Sequence, residues 1–159
     1  ITPVNDIFTD APETVTTPED TAKSGNLLTG TTSVDGPVTV STFTVAGVVD
    51  GSGNPVVFTV GATAQTIPGV GTITIAANGD YTFTPAANYH GTVPTISYAL
   101  TDGLGADVVS TLDITVSPVV DLTAANDTNT TPEDTPVNGT VVANDSTTSG
   151  GTLAYAKAT

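Results

Sequence analysis

Glu19 and Asp20 stand side by side directly after Pro18, and these carboxylates are the clearest candidates for chemistry in the chain. The hexapeptide that carries them, Thr16-Thr17-Pro18-Glu19-Asp20-Thr21, returns letter for letter as Thr130-Thr131-Pro132-Glu133-Asp134-Thr135. Two carboxylates can act as acid and base in glycoside hydrolysis, or they can hold a cation. Hydrolysis needs carboxyl groups facing each other across a substrate, which neighbours on one turn do not provide, and no aromatic platform for sugar is visible. Cation binding needs only clustered oxygens. The plainer alternative is that Glu19 and Asp20 terminate a turn and cap backbone N–H groups.

Other candidates fall away. His90 is the only histidine and has no partner nucleophile, so it reads as a surface or packing residue. Lys23 could form an amide crosslink to an asparagine, but no partner is identifiable. Gly51-Ser52-Gly53 and Gly69-Val70-Gly71 open no helix and are turns between strands, not phosphate cradles. Threonine rows are β-propensity on a solvated face. No enzyme activity is expected.

The elements that position these groups follow from composition and repeat length. The hexapeptides recur at a spacing of about 114 residues, too long for a solenoid unit and right for one independently folded domain. The expected organisation is residues 1–6 as the end of a preceding repeat or linker, 7–121 as one complete repeat, and 122–159 as the N-terminal part of the next. Only 11% of residues are charged, Thr and Val are abundant, and 16 glycines and 11 prolines interrupt the chain too often for long helices. The chain is therefore all-β. Sixteen Asp plus Glu against two Lys plus Arg give a net charge of −14, which excludes a nucleic-acid partner because phosphate neutralisation needs clustered cations. No apolar run reaches transmembrane length, an absence that carries no weight in what reads as a fragment of a longer chain; direct membrane insertion of these residues is not among the expected contacts. Absence of cysteine rules out disulfides and thiolate metal sites.

Along the chain, residues 7–17 read as an edge strand broken by Pro12, and 25–28 as a second strand. Strands follow over 38–45 and 56–60. Residues 72–75 and 81–84 alternate with period two around Asn78-Gly79 and predict a hairpin with Ile73, Ile75, Tyr81 and Phe83 facing the core. Residues 85–94 read as a crossing loop. Ile96, Tyr98 and Leu100 point inward on the next strand, as do Val108, Leu112, Ile114 and Val116 on the last. About seven short strands separated by turn signals predict a two-sheet Greek-key sandwich of immunoglobulin type.

Such a topology gathers the carboxylates at the ends of the sandwich. The loop between the first two strands lies where the last strand leaves, placing Glu19 and Asp20 beside Asp121; the loop after the second strand of the following copy brings Asn144 and Asp145 to the same seam. By the same logic Asn5, Asp6, Asp35, Asp102 and Asp107 converge at the opposite end. Calcium takes six to eight oxygens at about 2.3–2.6 Å, and each group could furnish much of one shell.

Several stretches together resemble a known family. They are Thr17-Pro18-Glu19-Asp20-Thr21, Gly71-Thr72-Ile73-Thr74-Ile75 with Gly79-Asp80-Tyr81-Thr82-Phe83-Thr84-Pro85, Tyr89-His90-Gly91, and Tyr98-Ala99-Leu100-Thr101-Asp102-Gly103. In this order they resemble the cadherin-like and bacterial immunoglobulin-like tandem repeats of large RTX-type surface adhesins. The resemblance implies a cadherin-like sandwich, an extracellular place on a bacterial cell surface, and a calcium-stiffened stalk whose partners are neighbouring repeats of the same chain. The pattern is only partly kept: Asn144-Asp145 aligns with Gly30-Thr31 in the first copy, and Asn5-Asp6 with Val120-Asp121 at the second linker. A second reading is a subunit of an extracellular filament, in which other copies of the protein complete each other's sheets. It is motivated by Val141, Val142, Leu153 and Tyr155, which have no opposite sheet within residues 122–159.

Overall fold

A computed structural model describes residues 4–148 and 152–157. It divides into two units, 1–118 and 119–159. The described residues contain strands and turns and no helix.

The first unit holds ten strands. β1 (Glu13–Pro18), β3 (Thr39–Val45), β4 (Phe58–Thr59), β8 (Gly91–Thr92), β9 (Ile96–Thr101) and β10 (Val108–Ser117) form one sheet, and β2 (Lys23–Asn26), β5 (Gly61–Ile67), β6 (Gly71–Ile75) and β7 (Asp80–Pro85) form the other. The first sheet runs β1-β10-β9-β3-β4, with β8 added to β10; the second runs β2-β7-β6-β5. This is the two-sheet sandwich expected from the strand pattern. β1 lies parallel to β10 in a register that pairs Glu13 with Leu112 and Pro18 with Ser117. Chain ends that would otherwise be loose are thereby held in one sheet.

Period-two alternation decides which side chains fill the space between the sheets. Ile73, Phe83, Ile96, Tyr98, Leu100 and Leu112 are fully buried, and Ile75, Tyr81, Ile114 and Val116 nearly so. The β6–β7 hairpin closes around Asn78-Gly79, where Gly79 has φ 85° and its N–H donates to the Ala76 carbonyl. Glycine supplies that positive φ without steric cost. Phe43 and Phe58 stack at 5.1 Å between ring centres and hold the short β4 onto β3.

Four local expectations change: the second strand, expected at 25–28, runs Lys23–Asn26, with Leu27 buried just beyond its end. The first strand begins only at Glu13, because residues before Pro12 are fixed by side chains: Phe8 is buried in the core and Asp10 is hydrogen-bonded. The strand expected at 56–60 shrinks to Phe58–Thr59. Residues 85–94 include the two-residue β8. A further strand, β5, was not expected. Its sequence, Gly-Ala-Thr-Ala-Gln-Thr-Ile, has no large apolar alternation because it is a mostly exposed edge, held by backbone pairing to β6 across an irregularity between Gly61 and Gln65.

In the second unit β11 (Leu122–Thr123) pairs with β12 (Ser146–Thr147). Val141 and Tyr155 are about half exposed there, at 55% and 44%. The first-unit residue aligned with Val141 is Leu27, which is fully buried. The first three residues of the leading linker and part of the loop after Asp145 lie outside the described residues.

Candidate functional site

The Pro-Glu-Asp turn is built the same way twice. Thr17 Oγ1 donates to the Thr21 carbonyl at 2.9 Å and Thr131 Oγ1 to the Thr135 carbonyl at 2.8 Å. The Thr21 and Thr135 N–H groups each return to the preceding proline carbonyl at 3.3 Å. Asp20 and Asp134 sit at φ 57° and 59°, a left-handed conformation that Asp tolerates better than most residues. Local sequence dictates local geometry in both copies.

What surrounds the turn differs. In the first unit the Glu19 N–H donates to the Ser117 carbonyl at 2.8 Å, which fixes the turn at the trailing end where β10 finishes. The Glu19 side chain is buried and its Oε2 lies 3.5 Å from Nδ1 of the exposed His90. Asp20 Oδ1 accepts the Asn88 N–H at 2.9 Å, and Asn88 also takes a positive φ of 58°. The Tyr89-His90-Gly91 stretch thus seats the acidic turn. His90, itself mostly exposed, lies against this buried carboxylate from the surface. Glu133, by contrast, is exposed.

At the leading end, the Asp6 N–H donates to Asp35 Oδ2 at 2.6 Å, and the Asn5 side chain occupies space above Gly105. A Cβ on Gly105 would lie 2.6 Å from the Asn5 amide and push that side chain aside, and Gly105 also takes φ 77°, a conformation that favours glycine. Asp102 is buried, with Oδ2 accepting from the Ser33 hydroxyl at 2.6 Å and Oδ1 from the Leu104 N–H at 3.1 Å. Those two hydrogen bonds, the serine first, hold the Asp102 carboxyl below its ordinary pKa. Asp107 Oδ2 accepts from Ser41 at 3.2 Å, farther along the sheet. Asn5, Asp6, Asp35 and Asp102 therefore share one end of the unit, with the Asp35 and Asp102 carboxylates engaged in backbone and hydroxyl contacts.

In the second unit Asp121 accepts from Thr148 through both its carbonyl and Oδ1, each at 2.9 Å. Asp145 Oδ1 accepts the Ala125 N–H at 2.9 Å, and Asn144 Nδ2 reaches the Asn126 carbonyl at 3.4 Å. Among the described residues no three His, Cys, Asp or Glu side chains converge as a ready metal cluster.

The sequence reading missed a fourth constellation. Tyr98, fully buried on β9, donates its hydroxyl to Asp10 Oδ2 at 2.8 Å, and Thr31 donates to Asp10 Oδ1. Ser110, opposite Tyr98 on β10, is also buried, and its hydroxyl finds no partner at good geometry among the described residues. Burial raises the Tyr98 phenol far above its usual pKa, and the Asp10 and Glu13 charges push the same way against the neighbouring Ser110 hydroxyl. Partial burial, then Asp10, likewise raises the Glu13 carboxyl. The signal available in sequence was a tyrosine among inward-facing residues, whose hydroxyl needs a partner when buried; nothing local pointed to Asp10, 88 positions away.

A raised phenol pKa favours the protonated folded form. Stability from Tyr98 is therefore fully present below the unfolded tyrosine pKa of about 10 and is lost as pH rises from there toward the folded value. Thermal melts are expected to fall above about pH 10, and Tyr98→Phe is expected to flatten that fall. An equally steep alkaline decline in the variant would contradict the assignment.

A cysteine-free sandwich with parallel first and last strands and acidic turns at both ends defines an immunoglobulin-like repeat module. The family model of the bacterial cadherin-like domain matches residues 9–118, well over half of the chain, and the protein belongs to that family. Domains of this family are generally structural, typically extracellular, and commonly pair with neighbouring domains. Among curated proteins, none matches the sequence significantly.

Proposed function

We propose that this chain is a non-catalytic extender repeat of a secreted or cell-surface bacterial adhesin, stiffened by calcium at the junctions between repeats. The observation that carries the reading is the family match over residues 9–118 in a chain that repeats its turn hexapeptide one domain length later. The proposed ligands at the trailing junction are Glu19, Asp20, Asp121, Asn144 and Asp145. At the leading junction they are Asn5, Asp6, Asp35 and Asp102, completed by a preceding repeat. Calcium prefers such carboxylate and amide oxygens, and the residues fit in chemistry: each is an oxygen donor.

The function is mechanical. Like charges on adjoining repeats repel and bend the linker, whereas a divalent cation shared between them removes the repulsion and stiffens it. Chelation is expected to lower the melting temperature and shorten the particle in small-angle scattering, with recovery on adding calcium. Unchanged melting and dimensions would sink the calcium reading. The charge-neutral pair Glu19→Gln with Asp20→Asn separates cation binding from turn formation, because amides retain the capping shape but not the charge.

One observation favours the second reading, assembly by strand addition between chains. In the second unit Val141, Val142 and Tyr155 are each more than 40% exposed, while the described strands are two residues long. Concentration-dependent sedimentation would support it; a constant monomer mass across concentrations would oppose it.

A further inference from the structure

The Asp10 constellation has no part in the junction chemistry, yet it occupies a particular place on the chain. Force applied at the N-terminus travels through Asn5 and Asp6 and reaches Phe8 and Asp10 before it reaches β1. Phe8 is 8% exposed in the core cluster. Asp10 is tied through one carboxylate oxygen to Tyr98, on the strand between β10 and β3, and through the other to Thr31, in the loop after β2. Both contacts are partly buried, and a hydrogen bond to a charged acceptor that is partly shielded from water is among the stronger kinds. The other link upstream, from the Asp6 N–H to Asp35, is solvent-exposed.

Behind this point stands the β1–β10 pairing. The strands are parallel, so the end of β1 nearest the N-terminus, Glu13, lies beside Leu112, and the force-exit end of β10, Ser117, lies beside Pro18. Tension between the chain ends slides β1 along β10 and loads all the pairs together. Tension applied to both strands at the Pro18–Ser117 end would open them one at a time.

We propose that the first unit has a tension-bearing function, and that Asp10 is its latch, passing load from the N-terminal segment into Tyr98 and the sheet interior before the β1–β10 ribbon is sheared. Removing the latch leaves the ribbon to carry the load alone. The extender reading supplies the reason a chain would be pulled at its ends, but the latch itself does not depend on calcium.

The test holds the full chain at constant force and measures the lifetime of the folded first unit. Handles at the two chain ends load the latch. A handle at Thr21→Cys, unambiguous in a chain without cysteine, combined with one at the C-terminus bypasses residue 10. Tyr98→Phe and the shape-conserving Asp10→Asn are expected to shorten the lifetime about tenfold under end-to-end load, as loss of a charge-assisted hydrogen bond implies, and to leave it nearly unchanged in the bypass geometry. Phe58→Ala, in the far edge strand β4, serves as an off-path control destabilised by heat to an equal or larger degree. Lifetimes that follow thermal stability regardless of attachment, or latch variants indistinguishable from the control, would overturn the proposal. Chelation melts and scattering test the extender reading separately, so either can fail without the other.

Discussion

Phe83→Ala is expected to destabilise the first unit by about 3–5 kcal/mol, the usual cost of truncating a large aromatic core residue. Phe83 is fully buried on β7, between Lys23 of β2 and Ile73 of β6 in the register of the second sheet. Its ring faces the first sheet, so no backbone adjustment within β7 alone can close the void. For a domain of this size, each kcal/mol shifts the midpoint by roughly 4–8 °C, and the melting temperature should drop by roughly 12 °C or more. Thr84→Ala at the adjacent, exposed position is the comparison, with an expected change within about 0.5 kcal/mol. Denaturant melts of the full chain report both. A loss below about 1 kcal/mol for Phe83→Ala would mean that the sheets are not packed through this position.

The second large effect is expected from Glu19→Lys, set against Glu133→Lys. Glu19 is 6% exposed and faces His90, whereas Glu133 is exposed in an otherwise identical hexapeptide. Placing an ammonium at position 19 buries a cation beside an imidazole and removes the carboxylate. A fully buried uncompensated charge costs several kcal/mol; the site opens to solvent at His90, so about 2 kcal/mol is the expected loss here. At position 133 the change should remain within about 0.5 kcal/mol. The same substitution is also expected to abolish any calcium-dependent rise in melting temperature that depends on the trailing junction, since it replaces a proposed ligand with a like-charged competitor of the cation. Equal costs at both positions, measured by thermal melts in chelator, would contradict the burial difference.

Much of the sandwich was legible because its signals are local. Alternation named Ile73, Ile75, Tyr81 and Phe83 as inward-facing and placed the hairpin at Asn78-Gly79, and each of those side chains is buried. β5 was not legible. Backbone pairing to β6 holds Gln65, Thr66 and Ile67, while Ala62, Thr63 and Ala64 lie exposed in the register break, so none of the three needs an apolar face and they carry no periodic signal. The Asp10–Tyr98 contact was equally hidden, because a carboxylate in a loose N-terminal segment looks like any other surface acid until the sheet brings a buried phenol to it.

The hexapeptide shows where the two kinds of information divide. Sequence by itself determined the turn: threonine hydroxyl to carbonyl, proline carbonyl to amide, and aspartate in the left-handed region, alike in both copies because every contact lies within a few residues. Only the tertiary structure decided what the turn is worth. Burial of Glu19 depends on Ser117 and His90, which are brought to it by the parallel β1–β10 pairing and the short β8. Such contacts span many tens of residues and arise only after the sheets have closed, so the six letters fix the turn and the closed sheets fix the seat of Glu19.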